Sequence, residues 1–155
     1  MMLFVHIIAG FFSTVAFGVL TNIPRRALLA SGITGCIGWL IYVGIHSHGG
    51  GLGVANFLAT FVIGCFSIFF SRKKRIPMII FNIPSLVPLV PGGPAYKAVR
   101  ELVLGNNTVA FENIMIVMVT AGSIASAFMM TSLVERIIIK WKKSTLHKKF
   151  NKKIN

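Results

Sequence analysis

Acidic side chains are nearly missing from this sequence. Three glutamates (Glu101, Glu112 and Glu135) stand against 16 Lys and Arg, and none of these charges lies deep inside an apolar run. Paired carboxylates for acid–base catalysis and carboxylate-rich metal cages are therefore excluded. Cysteine is scarce too. Cys36 and Cys65 are the two thiols; both sit in mid-run without CxxC spacing, and read as small buried apolar residues. His46 and His48 offer a metal only two ligands in a Gly-rich loop and lack carboxylate or Cys companions. No Ser/His/Asp or Cys/His set converges at one depth. Residues 92–97, GGPAYK, lack the Gly-Lys-Ser/Thr ending of a phosphate loop. The sequence points away from an enzyme and implies no cofactor.

What it has is apolar length. Apolar side chains make up 55% of the 155 residues and charged ones 12%, with mean hydropathy +0.80. Such a composition excludes an ordinary soluble domain. The hydrophobicity arrives in blocks: Leu3 to Ile23, Ala27 to Ile45, Leu52 to Phe70, 76–96 and Asn113 to Val134. Each is close to the roughly 20 residues that cross a hydrocarbon core. The expectation is an all-α, polytopic bundle, with residues 1–135 as one transmembrane domain and 136–155 as a basic tail. Nothing basic precedes the first block and Arg25 and Arg26 follow it, so it reads as a retained span rather than a cleaved signal.

Basic residues cluster at Arg25–Arg26, at Arg72–Arg75 and between Arg136 and Lys153. The loop at 46–53, HSHGGGLG, has none. Cytoplasmic loops collect Lys and Arg, which places those clusters and the carboxy terminus inside. That arrangement needs five crossings, so the fourth block must reach the far side. The alternative is a re-entrant fourth block and four crossings, which strands one basic cluster outside. The tail, with Trp141 and Phe150 among its lysines, suits anionic lipid at an interface better than nucleic acid. Small residues Ser31, Gly32, Gly35 and Gly38 in the second block, and Ala121 to Ala127 in the fifth, form smooth faces. Such faces let helices pack closely in lipid, and several of them in a small protein suggest a partner.

The fourth block is the unusual one. It is uncharged from Ile76 to Tyr96 yet holds five of the six prolines. Pro84, Pro88 and Pro91 each remove a backbone donor and clash with the preceding turn, so no regular helix runs through it. Irregular backbone at membrane depth survives only where protein covers it or water lines it, and transporters bind substrate at such breaks. Gly92 and Gly93 permit a sharp turn. Pro94 then suits the start of a helix from Ala95 to Leu104, with Val99, Leu102 and Val103 on an apolar side and Gly105 to Asn107 ending it. Asn82, Ser85 and the Tyr96 hydroxyl offer neutral hydrogen bonds. Lys97 and Arg100 near a helix start offer positive potential to a carboxylate. Together they suit a small zwitterion or organic acid. The competing reading is a kink that only shapes the bundle. Proton coupling normally needs an ionisable group within the membrane. His6 alone is placed for it and is more simply solvated, so proton-coupled transport by this chain would need its proton site on another subunit.

Residues 83–96, IPSLVPLVPGGPAY, together with 17–29, FGVLTNIPRRALL, and 34–39, TGCIGW, resemble the threonine/serine exporter (ThrE-like) family. The resemblance is to its short subunit of the YjjB-like type, corresponding to the carboxy-terminal half. It implies a bacterial inner-membrane exporter split over two chains, with a longer membrane subunit as partner and the proton gradient as drive. Its substrates would be threonine and serine, or a dicarboxylate such as succinate. Mapped by resemblance, the substrate-binding positions are Pro84, Pro88, Pro91, Gly92, Gly93 and Tyr96; Asn82, Ser85, Lys97 and Arg100 are added from their chemistry. An assembly subunit that binds no substrate is the rival reading.

Overall fold

A computed structural model describes the backbone of residues 2–154 and the side chains of residues 3–140. The tail side chains from Trp141 onward, including the interfacial placement expected for Trp141 and Phe150, lie outside the described residues. Every regular element among the described residues is helical: α1 (Met2–Leu20), α2 (Arg25–Ser47), α3 (Leu52–Lys74), α4 (Ile79–Ser85), a 3-10 turn at Val87–Leu89, α5 (Gly92–Val103) and α6 (Asn107–Ile154). α1, α2, α3 and α6 are long and apolar enough to cross a membrane. The chain is a multi-pass helical membrane protein.

Glycine positions set the helix order. Gly35 faces Thr14, Gly32 faces Phe11 and Val15, and Gly10 faces Trp39, so α1 and α2 run antiparallel. Gly38 faces Ile63 and the Ala59 carbonyl, which binds the same small-residue face of α2 to α3 as well. That face is consumed within the chain. α3 and α6 behave differently: Gly53 meets Val119 and Ser123, while Gly64 meets Thr131. Residue numbers rise together, so these two helices are parallel. A parallel pair requires the chain between them to return to the end where α3 began. The proline-rich block makes that fifth traverse.

It does so in pieces. Phe81 is buried with Ala27 and Ala30, near Phe70, at the start of α2. Ser85 Oγ donates to Ser31 O at 3.0 Å. Leu89 clusters with Ala59 and Ile63, against Trp39 and Tyr42. The segment thus climbs from the level of Ala27 to that of Tyr42, about 22 Å at 1.5 Å per helical residue. Pro84 lies within the last turn of α4, which ends at Ser85. Pro91, at φ −79° and ψ 53°, forms an inverse γ-turn closed by Gly92 N–H on Val90 O at 2.8 Å. The sharp turn expected at Gly92–Gly93 therefore sits one residue earlier. Those glycines begin α5 with ordinary negative φ, because proline already supplies the bend.

α5 starts three residues before the expected Ala95 and ends as expected. Gly105 takes φ +81°. Gly105 N–H bonds Leu102 O and Asn106 N–H bonds Glu101 O, at 3.1 and 2.9 Å, the two bonds of a Schellman cap. Gly105→Ala is expected to cost about 1 kcal/mol, the penalty of a left-handed non-glycine residue, read as a lower unfolding midpoint. Ala98 is the buried residue of α5, and Val99, Leu102 and Val103 face outward.

The basic clusters gather at one end. Lys74 Nζ donates to Arg26 O at 2.7 Å, and the α3–α6 register brings Lys140 level with Lys73 near the end of α3. α6 continues without a break through Glu135 and Arg136.

Candidate functional site

The broken traverse packs against α1 and α2 on one side. Towards α6 it leaves two cavities. One, of about 190 Å³, is walled by Pro88, Pro91 and Pro94, by Trp39 and Tyr42, and by Asn56 and Thr120. The other, of about 360 Å³, lies lower, between α4 and α6, and includes Asn82, Ser132 and Glu135. Thr120 and Ser132 are 12 residues apart, so the two cavities are separated by about 18 Å along α6.

Between and around them run polar atoms that the protein leaves unpaired. Ser31 Oγ, Asn56 Oδ1, Thr60 Oγ1, Ser67 Oγ and Asn82 Oδ1 are buried without a hydrogen-bond partner. The contrast with their neighbours is informative. Thr14, Thr34, Thr120 and Thr131 each return the hydroxyl to their own helix, four residues back, at 2.7 to 2.8 Å, the default for threonine in an apolar helix. Thr60 does not. Asn56 uses only its amide nitrogen, which donates to Leu52 O at 2.9 Å. An unpaired buried acceptor costs about 1–3 kcal/mol, so these five positions sacrifice stability unless water or a solute reaches them. Asn56, Thr60 and Ser67 share one helix face, and antiparallel packing brings Ser31 within a turn of Ser67.

The residues singled out from sequence divide among four places. Asn82 faces the lower cavity and Pro88 and Pro91 the upper one. Ser85 is buried, its hydroxyl shared between Ser31 O and Phe81 O at 3.0 and 2.7 Å, tying α4 to α2. Pro84 is buried with it. Gly92, Gly93, Tyr96, Lys97 and Arg100 are exposed at the start and outer face of α5. Tyr96 is 71% exposed, and Arg100 Nη1 lies 3.8 Å from Glu101 Oε1. The start of α5 still matters to the upper cavity, since Pro91 and Pro94 bring the positive end of its dipole to the wall.

Asn56, Thr60 and Glu135 were not singled out from sequence. The signal was present: Asn56 and Thr60 are one turn apart in an otherwise apolar helix, and Phe128, Ser132 and Glu135 share one face of α6. His6 Nδ1 accepts a hydrogen bond from Trp39 Nε1 at 3.3 Å. Trp39, Tyr42 and His46 stack in sequence at centroid spacings of 5.3 and 5.7 Å. His48 Nδ1 instead lies 2.7 Å from Gly44 O, so the two loop histidines turn apart.

The upper cavity has the chemistry of a small-solute site. It offers an amide acceptor at Asn56, two aromatic walls that attract cations, a hydroxyl at Thr120 and a helix start that favours a carboxylate. Its volume is below the roughly 300–1,000 Å³ of sites for drug-sized ligands.

The family model described as "Threonine/Serine exporter, ThrE" matches residues 6–134. A threonine/serine exporter of Corynebacterium glutamicum is 26% identical over 133 residues, covering 86% of this chain and 27% of that protein. This chain therefore matches about a quarter of the length of that relative. No solved structure matches. Four long apolar helices, a proline-broken fifth traverse and a family match across nearly all of them lead to one assignment: the chain belongs to the threonine/serine exporter family.

Proposed function

We propose that this chain is one subunit of a two-component exporter of threonine and serine. The observation that carries the reading is the set of buried, unpaired polar atoms on α2, α3 and the broken traverse. They form a polar path through an apolar bundle, with a small cavity at one end fitted to a zwitterion. In this reading the ammonium group sits between Asn56 Oδ1 and the Trp39 and Tyr42 rings. The carboxylate faces the start of α5, and the substrate hydroxyl meets Thr120. The end of α4 at Ser85, the 3-10 turn at Val87–Leu89 and the bend at Pro91 leave short rigid pieces that can tilt against α6 across the two cavities, the geometry alternating access requires.

A longer membrane subunit completes the transporter. Two facts support it: the chain matches 27% of its relative, and Ala121, Gly122, Ala125 and Ser126 on α6 remain exposed, with nothing within 4 Å of a side chain placed at Gly122. The protein sits in the bacterial inner membrane with its basic end and carboxy terminus in the cytoplasm, because three basic clusters lie at that end. Residues 1–135 are the transmembrane domain, and the tail at 136–155 lies on anionic lipid. The proton gradient drives export, with the longer subunit carrying the proton site.

Efflux of labelled threonine, serine and succinate is the test, from cells lacking their own exporters and expressing this chain with or without the longer subunit. Threonine and serine efflux only when both chains are present is the expected result. Efflux from this chain alone overturns the two-component arrangement, and succinate efflux without amino acids overturns the substrate.

A further inference from the structure

The lower cavity has a chemistry of its own. Asn82, Ser132 and Glu135 are its polar groups, set among Ile83, Leu86 and Phe128. Asn82 is 6% exposed, and its Oδ1 has no hydrogen-bond partner. A buried carbonyl oxygen can only accept, so what it lacks is a donor or a cation. Glu135 brings a carboxylate to the same wall and makes no ion pair among the described residues; Arg136, the adjacent residue, lines a neighbouring depression with Met129 and Leu133 that shares Phe128 and Ser132 with this one.

The placement is notable given the chain's charge. Of the three carboxylates, Glu101 is engaged by Arg100 and by Asn106 Nδ2 at 2.8 Å, and Glu112 is exposed. Glu135 is the one that faces a cavity, and it does so at the basic end of a protein of formal net charge +13. An amide oxygen, a hydroxyl and a single carboxylate form a hard-oxygen set. One negative charge matches a monovalent cation. A divalent ion wants more carboxylates, and an anion meets repulsion from Glu135.

We propose that Asn82, Ser132 and Glu135 form a monovalent-cation site at the basic end of the bundle, distinct from the Asn56 cavity. A primary ammonium group, as an amino acid carries, and a free alkali ion share this chemistry. The site would be the first polar station met from that end, where a positive surface otherwise repels cations. Phe128 and Leu86 limit water around the bound charge, which strengthens its attraction to the carboxylate.

The test reads binding rather than efflux, so its failure leaves the exporter reading standing. The full chain, with whichever subunit co-purifies, is placed in lipid nanodiscs at fixed pH. Its unfolding midpoint is followed against sodium, potassium and methylammonium chlorides, with choline chloride as the ionic-strength control. Expected is a saturable rise for wild type above the choline control. Glu135→Gln should weaken the apparent affinity at least tenfold, and Asn82→Leu should do the same. Ser132→Ala, at an exposed position, tests the site without disturbing the buried packing and should weaken it less. A response to methylammonium without sodium or potassium assigns the site to the substrate's ammonium group; a response to sodium or potassium assigns it to a free ion. A wild type that responds no more than to choline overturns the proposal, as does a Glu135→Gln variant that responds like wild type.

Discussion

Replacing Asn56 with leucine is expected to raise the unfolding midpoint of the protein while lowering threonine efflux about ten- to a hundredfold at equal abundance. The two effects have one cause. Asn56 Oδ1 is buried and unpaired, and removing such an acceptor recovers about 1–3 kcal/mol. The neighbouring cavity of about 190 Å³ has room for the larger side chain, so overpacking does not offset the gain. Under the proposed function, the same oxygen is the acceptor offered to the substrate's ammonium group. A hydrogen bond to a charged group contributes about 1.5–3 kcal/mol, and each 1.4 kcal/mol is tenfold in binding. Efflux assays and thermal unfolding on the same preparation check both halves. Unchanged efflux in a stabilised variant would remove Asn56 from the transport path. Reduced efflux with a lowered midpoint would mean that the residue is needed for packing.

The second large effect concerns assembly. Gly64→Leu should sharply reduce the amount of folded protein in the membrane, independently of substrate. A side chain there runs directly into Thr131. Thr131 has no freedom to swing aside, because its hydroxyl is tied to Ala127 O at 2.7 Å. Overpacking of this kind costs about 1–3 kcal/mol. Here it falls on the contact between α3 and α6, and α6 has no comparably close contact with α1 or α2. Thr131→Ala in the same chain should restore part of the abundance, since residues in direct contact couple. Membrane abundance of the single and double variants, by quantitative immunoblot, reads the effect. Absence of rescue would place the damage in α3 itself.

Much of this architecture is legible from the residues. Long apolar blocks predict the spans, and the basic clusters gather at one end as their distribution implies. Gly105 forms the expected cap because a left-handed residue there has few alternatives to glycine. The proline-rich block is recognisably broken and serves as the fifth traverse. The turn at Pro91 rather than Gly92 was not legible, since both residues permit a bend and only the γ-turn's hydrogen bond distinguishes them. Nor was the outward-facing side of α5: the pattern of Val99, Leu102 and Val103 defines a face without saying what covers it.

The candidate site was half legible. Pro88, Pro91 and Asn82 do line cavities, because a backbone that breaks cannot pack closely. Asn56 and Thr60 escaped notice because a neutral polar residue in an apolar helix normally satisfies itself against its own backbone, as Thr14 and Thr34 do. Whether it does so depends on neighbouring helices that the local sequence does not specify. Glu135 resembles an interfacial charge in sequence and becomes a cavity residue only once α4 is placed opposite it.

The parallel pairing of α3 and α6 has a consequence for the molecule as a whole. In the proposed membrane placement, five traverses are an odd number, so Met2 and the far end of α6 emerge into different compartments. A tag or fused domain at one terminus therefore samples the medium that a tag at the other never meets. Reporters attached at both ends must give opposite answers in every correctly inserted molecule.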